Sequence, residues 1–511
     1  MGEPESVERI VPLPSRAPSP IPPLRLRALN AAPVRPEGEY VLYWMTAFRR
    51  LSWNFALDRA VERAREMGKP LLIFEAIRCG YRWASDRLHK FVLDGMAEHA
   101  AALSGRGIGY CPYVEPENGA GSGLLEALAS RACLVVADDA PVFFLPKMVA
   151  AAAARCPVRM EGIDSNGLLP LRAAEKTHLT AYSLRRFLQS ELPRHLGDLP
   201  QAEPFAGKAL LPFEELPKAI SKRWPAASAE MLAGKAEALR TLPIDHSVPP
   251  VAEVPGGEKA ARARLRRFLD RNLSRYGEAR NEPAEEVTSG LSPYLHFGHI
   301  STAEILTELA ARERWTPAKI APIRNGKKEG WWGMSAAAES FLDELVTWRE
   351  LGYNHAAKRD DIDRYESLPA WARETLEAHQ GDPRPEVYDL AEFEAAATGD
   401  EIWNAAQTQL VREGTIHNYL RMLWGKKVLH WSRSPREAVE ILIELNNKYA
   451  LDGRNPNSYS GIFWCLGRYD RPWAPERPIF GMIRYMSSDN TARKVRVKNY
   501  LQQYGPERKL F

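Results

Sequence analysis

In the segment FLDELVTWREL, Glu344 and Trp348 stand four residues apart, which on a helix sets a carboxylate beside an indole on one face. An acid next to an aromatic ring suits a pocket that stacks a base and hydrogen-bonds its edge, although an exposed helix with an ordinary acidic residue has the same spacing. Trp424 and Trp431 are seven apart in HNYLRMLWGKKVLHW and fall on one helical face two turns apart. With Trp403 from EIWNAAQTQL they make either a chain of rings or part of a core. The run TSGLSPYLHFGHIS (288–301) combines hydroxyls and a glycine with Ser292-Pro293. It predicts a helix with Ser292 as N-cap and Pro293 at the first helical position, whose free N–H groups suit a diphosphate. His296 and His299 lie three apart with no third ligand at helical spacing, so packed or exposed histidines are expected there rather than a metal site.

Further on, LNNKYALDGRNPNSYSG places Asn446, Asp452 and Arg454 around a turn-rich segment, where polar side chains commonly cap. Arg468, Arg471 and Arg484, interleaved with Trp473 and Tyr485, offer either a phosphate-binding and stacking surface or a solvated loop. The overall charge does not decide between these, because 69 Lys and Arg stand against 65 Asp and Glu. Five scattered cysteines, without a C-x-x-C pair, predict reduced thiols rather than a disulfide framework or a thiolate metal centre. No apolar run reaches membrane-spanning length and the N-terminus has no signal-like pattern, so the expectation is a cytoplasmic protein with no membrane contact.

These residues need elements to hold them, and 511 residues with 45% hydrophobic content predict two domains. Residues 1–38, crowded with prolines, are expected to form a flexible tail. From 39 to 170, the apolar runs YVLYWM, PLLIFEA, GIGYCPYV, CLVVADD and PVRMEGID alternate with helix-like segments at 53–67 and 124–131, which predicts an α/β domain built on a parallel sheet with covering helices. Residues 171–255, rich in proline and carrying Tyr182, Arg185 and Arg186, are expected to form an interdomain linker. From 256 to 511 apolar positions recur at helical spacing, predicting an all-α domain. Within it, Ser434, Pro435 and Glu437 predict a capping box that opens a helix running to about Lys448.

The ordered set YxxxR (276–280), TSGLSPYLHFG, FLDEL, LWGKKVLHW, LDGRNPN and FGMIRYM resembles the photolyase and cryptochrome family, and specifically its class II cyclobutane pyrimidine dimer photolyases. That resemblance covers the C-terminal half well and the N-terminal domain mainly through its sheet-and-helix pattern. It implies an FAD held by Tyr276, Thr288, Ser289, Leu291 and Ser292, with Asn446 near the flavin N5 and an Arg421–Asp452 salt bridge beside the ring. It also implies a dimer pocket lined by Glu344, Trp348, Met422 and Trp464, in which the two tryptophans pack on flipped bases and Glu344 bonds a base edge. Arg280, Asp470, Arg471, Trp473 and Arg484 would hold DNA that contains pyrimidine dimers, and Trp403, Trp424 and Trp431 would carry electrons to the flavin. The implied protein is a light-driven repair lyase, monomeric, with room for a second, antenna chromophore of unspecified identity. Its first strand departs from the family pattern: YWMTAFRRLSWNFAL lacks the acidic and basic cluster usually found before the asparagine equivalent to Asn54. A cryptochrome-like photoreceptor without repair activity, or a non-enzymatic nucleic-acid-binding protein, would share many of these features.

Overall fold

The computed structural model describes residues 21–505. Six strands form one sheet: β1 (Leu26–Ala28), β2 (Tyr40–Met45), β3 (Leu71–Ile77), β4 (Gly109–Val114), β5 (Ala132–Asp138) and β6 (Met160–Ile163). Their order is β1-β6-β5-β2-β3-β4, parallel throughout except for β1, which pairs antiparallel with β6. Alternation explains why β2 is apolar at every position. Tyr40, Leu42 and Trp44 enter the core on one face, while Val41, Tyr43 and Met45 enter the core on the other. The helix Phe55–Met67 covers the second face. Asn54 starts it by accepting from the N–H groups of Ala56 and Leu57, and Gly68 ends it in the left-handed region.

The expected tail is corrected here, for residues 21–38 are not loose. Leu26–Ala28 completes the sheet, and the buried Arg25 donates to the carbonyls of Gly167 and Leu168 at 3.0 and 2.7 Å. Residues 1–20 of that segment lie outside the described residues. The connection after β6 also has structure. The helix Ala181–Glu191 packs on the helical half, where Arg185 Nε reaches Asp343 Oδ1 at 2.9 Å, while Ile220 and Trp224 pack against the sheet.

Beyond residue 256 the described residues form helices and turns only. The helix Pro435–Tyr449 begins as expected, with Ser434 accepting from Glu437 N at 3.1 Å. The capping box is incomplete, because the Glu437 carboxylate accepts from Arg433 N one residue before the cap. The two halves meet over a buried ionic cluster. His99 Nδ1 lies 2.8 Å from Glu75 and its Nε2 3.7 Å from Glu258, with Arg49 on Glu75 at 2.8 Å and Arg262 on Glu258 at 3.0 Å.

Candidate active site

Ser335 caps a long helix that starts at Ala336 and ends at Lys358, and its middle, Asp343–Trp348, widens into a π turn. Such turns displace side chains from the regular ladder and concentrate at functional sites. From Phe341 to Glu350 every side chain is buried except Glu344 and Trp348, which are partly exposed one turn apart on the same helix. The Glu344 carboxylate pairs with the Arg280 guanidinium, which also lies 5.7 Å from the buried Tyr276 ring. Burial pushes the Glu344 carboxyl above its usual range against the pull of Arg280. Gly352 then lets this helix approach the helix Pro456–Trp464, since a Cβ there would stand 2.5 Å from Asn457 Oδ1 and 2.8 Å from Ser460 Oγ. Trp348 and Trp464 each lie one turn from that contact.

Trp464 is partly exposed, with Lys426 Nζ 5.0 Å and the Arg484 guanidinium 5.5 Å from its ring. Met422 is also partly exposed, one turn before Lys426 on the helix Asn418–Trp431. Arg484 stacks on Trp473 at 4.0 Å and Arg471 lies over the same ring at 4.7 Å. Asp470 organises this group rather than facing a polyanion. Its carboxylate accepts from Arg484 Nε at 2.8 Å, Trp473 Nε1 at 3.1 Å and Arg471 N at 2.9 Å. Arg280, expected to contact DNA, pairs with Glu344.

A second cluster joins the turn after the helix Pro435–Tyr449 to the loop at 288–292. Ser292 Oγ donates to Asp452 Oδ2 at 2.5 Å, and Arg421 Nη2 lies 3.4 Å from Asp452 Oδ1. Burial works against the charged carboxylate, but Arg421 and Ser292 outweigh it and hold the Asp452 pKa below its ordinary value. The helix start expected here is corrected: the helix Ser292–His296 has five residues, Leu291 precedes it, and the Ser292 hydroxyl is taken by Asp452 instead of capping. Thr288 is exposed, Ser289 partly so, and Gly290 takes φ +61° beneath the guanidinium of Arg264. Arg264 was not singled out from the sequence, because EKAARARLRRFL holds four arginines with nothing to distinguish one. Asn446 is buried, its Nδ2 on Ser458 Oγ at 2.5 Å, and Arg421 Nε is buried without a partner. Hydroxyls, unsatisfied guanidinium N–H and a partly exposed glycine turn are the donors that a diphosphate and a flavin edge require, so the residues fit an FAD. Arg454 is a cap: it is buried, and its Nη1 donates at 2.5 Å to Asn447 O, in the last turn of the helix Pro435–Tyr449.

His296 and His299 do not share a metal. His299 Nδ1 accepts from Gly257 N at 2.9 Å, His296 meets Asn455, and burial brings both imidazoles to about 3, so they are neutral. No cluster among the described residues could hold a metal ion, and no described helix is long and apolar enough to cross a membrane.

The three tryptophans form one array. Trp403 stacks on Trp424 with centroids 6.4 Å apart and planes 5° apart, and meets Trp431 edge-on at 6.1 Å. Trp431 then meets the partly exposed Tyr388 at 5.4 Å, a residue that periodicity did not reveal because it lies in a loop. Finally, a cavity of about 460 Å³ opens at the C-terminal ends of the strands, where the strand order changes direction. Trp44, Phe74, Tyr113 and Phe143 line it from the sheet side, and His296, Phe297 and Arg454 from the helical half. Small residues (Ala47, Ala76, Gly119, Gly121, Gly123) leave the room.

No family model matches the chain. It is 32% identical over 479 residues to the deoxyribodipyrimidine photo-lyase of Methanothermobacter thermautotrophicus, covering 94% of this chain and 97% of that one. It is 32% identical over 493 residues to the protein of the same name from Oryza sativa, covering 93% and 89%, and 29% identical over 476 residues to that of Potorous tridactylus, covering 92% and 82%. Among solved structures, a class III photolyase from Agrobacterium tumefaciens superposes with a TM-score of 0.66 at 18% identity, over 91% of this chain and 86% of that chain, which speaks to the fold. A sheet domain joined to a helical domain, together with near full-length identity at this level, places the chain in the deoxyribodipyrimidine photolyase family.

Proposed function

We propose that the protein repairs cyclobutane pyrimidine dimers in DNA with light, as a class II enzyme of its family using FAD. The observation that carries this reading is the π turn that presents Glu344 and Trp348 alone from a buried stretch, a helix contact away from Trp464. An acid and two indoles suit a flipped pyrimidine pair, the rings packing on its faces and Glu344 bonding a base edge. Met422 completes the lining. Arg471 and Arg484, stacked on Trp473 and aligned by Asp470, grip the phosphates beside the pocket, and Arg280 reaches from Glu344 toward the same backbone.

When bound and reduced, FAD supplies the light-driven electron that opens the cyclobutane ring and receives it back. Tyr276, Thr288, Ser289, Leu291 and Ser292 would hold its ribityl and diphosphate parts. The Arg421–Asp452 pair would set the charge beside the ring, and Asn446 would stand near its reactive edge. Trp424, Trp403 and Trp431 would supply the path by which its reduced state is restored. The cavity at the strand ends, lined in part by Trp44, Thr46, Ala47 and Arg49 of the altered first-strand segment, would take a second, light-gathering chromophore. The protein acts on dimer-containing DNA as a monomer in the cytoplasm, in keeping with its five unpaired cysteines. The division into a sheet domain to about residue 170, a linker to 255 and a catalytic helical domain follows from the same assignment.

The test is repair of an oligonucleotide carrying one defined dimer, in light and in darkness, with a 6-4 lesion as control. Light-dependent loss of the dimer alone supports the proposal. Flavin absorbance without repair of either lesion would point to a photoreceptor instead.

A further inference from the structure

We propose that Lys426 is a positioning residue for Trp464, fixing the ring face on which a lesion base stacks. This rests on the reading of Trp464 as a wall of the lesion pocket. Lys426 is fully buried on the helix Asn418–Trp431, yet among the described residues no carboxylate pairs with it. Its Nζ donates to Cys465 O at 2.7 Å and stands 5.0 Å from the Trp464 ring centroid.

An ammonium taken out of water without a counter-ion costs several kcal/mol, so space-filling does not account for a lysine where methionine would serve. What the charge gains is a carbonyl and a π face, and both belong to the same two residues, Trp464 and Cys465. One side chain therefore pins the backbone after the tryptophan and the ring itself. The packing leaves the lysine no retreat: a Cβ on the preceding Gly425 would lie 2.4 Å from Cys465 Sγ, so the two helices are in close contact at this point. Arg484 lies 5.5 Å from the same ring and is held by Asp470, which flanks the indole with two cations. By contrast, among the described residues Trp403 and Trp424 carry no cation over their rings, and the lysine over Trp431, Lys427, is neutralised by Asp400 at 3.0 Å. The groups that face the ammonium are the Cys465 thiol, Asp470 and Arg484; burial brings its pKa down to about 8.

The test measures equilibrium binding of a dimer-containing oligonucleotide and its undamaged counterpart to the parent, K426M and W464A at pH 7 and pH 9. K426M keeps the volume and removes the charge. At pH 7 it should bind the dimer roughly tenfold more weakly, within the worth of one base–aromatic stack, with undamaged DNA unchanged. The parent should lose dimer affinity between pH 7 and pH 9, and W464A, which keeps the lysine but not the ring, should lose that pH dependence. Parental dimer affinity in K426M, with W464A weakened, overturns the role of Lys426 and leaves the pocket standing. Parental dimer affinity in W464A removes Trp464 from the pocket and this proposal with it. If K426M does not fold, the pH profiles decide alone, and identical profiles in parent and W464A overturn the proposal.

Discussion

Trp424 lies buried against Trp403, so replacing it with Phe keeps an aromatic ring in the core while raising the potential needed to oxidise it. The variant should lose photoreduction of oxidised flavin, give near-parental repair once chemically reduced, and lose about 2–4 kcal/mol of stability, since it leaves a cavity and strands the buried Gln407 Oε1 that accepts from Trp424 Nε1 at 3.0 Å. Photoreduction at the parental rate, followed by absorbance, would make Trp424 a core residue alone. At the other end of the site, Arg484 serves three neighbours, Asp470, the Trp473 ring and, at 5.5 Å, the Trp464 ring. Arg484→Gln should weaken binding to damaged and undamaged DNA alike and make the slope of log affinity against log salt shallower by about one phosphate contact. A loss confined to damaged DNA would place this arginine inside the lesion pocket. Residue identity was legible where spacing carried it, as in Glu344 with Trp348 and in the tryptophan trio. Lys426 was not, because in GKK nothing separates the lysine that is fully buried from its partly exposed neighbour.

Elements were read where their apolar pattern is sustained. The five parallel strands and the helices Phe55–Met67, Glu401–Glu413, Asn418–Trp431 and Pro435–Tyr449 fall on the runs expected for them, since burial on both faces makes such strands continuous in apolar residues, whereas the eighteen-residue helix Asp86–Leu103 was not read from the sequence. β1 escaped because three residues after a cluster of prolines carry no period, and pairing with β6 supplies what LRA lacks by itself. The π turn escaped for a related reason: FLDELVTWREL has ordinary helical spacing, and nothing in it marks the place where Asp343 pairs with Arg185 and Glu344 with Arg280. Gly352 sets how closely the lesion-side helices approach. Gly352→Ala gains up to about 1 kcal/mol of helix propensity. It also forces the new methyl against Asn457 and Ser460, which costs about 1–3 kcal/mol in a packed interface. The clash should win or break even, so a calorimetric melt at or below the parent's, with weaker dimer binding, is expected; a clear gain in melting temperature would show that the helices part freely.

Across the whole molecule, the domain junction holds its charges without water. Burial opposes the charged form of His99, but Glu75 and Glu258 prevail and raise its pKa to about 10, while the same cluster holds both carboxyls near 2. The groups facing His99 are Glu75, Glu258, Tyr110, Arg49 and His299. A raised histidine contributes stability in full below about pH 6.5 and loses it as pH climbs through about 10; the depressed carboxyls contribute above about pH 4.5 and lose it toward 2. The melting temperature of the parent should therefore fall between pH 7 and pH 10 more steeply than that of His99→Gln. Parallel curves would show that the histidine does not carry the alkaline limb.

The cavity at the strand ends takes its walls from both halves of the chain, with His296, Phe297 and Arg454 closing what the sheet begins. Whatever fills it touches two folding units at once and binds neither when they separate. An occupant would therefore act as mortar: by mass action, a hundredfold excess over its dissociation constant would add about 2.7 kcal/mol to the joined state. Preparations that retain pigment and preparations that shed it should differ in protease resistance at the junction, so colour would report how much of the protein is fully assembled.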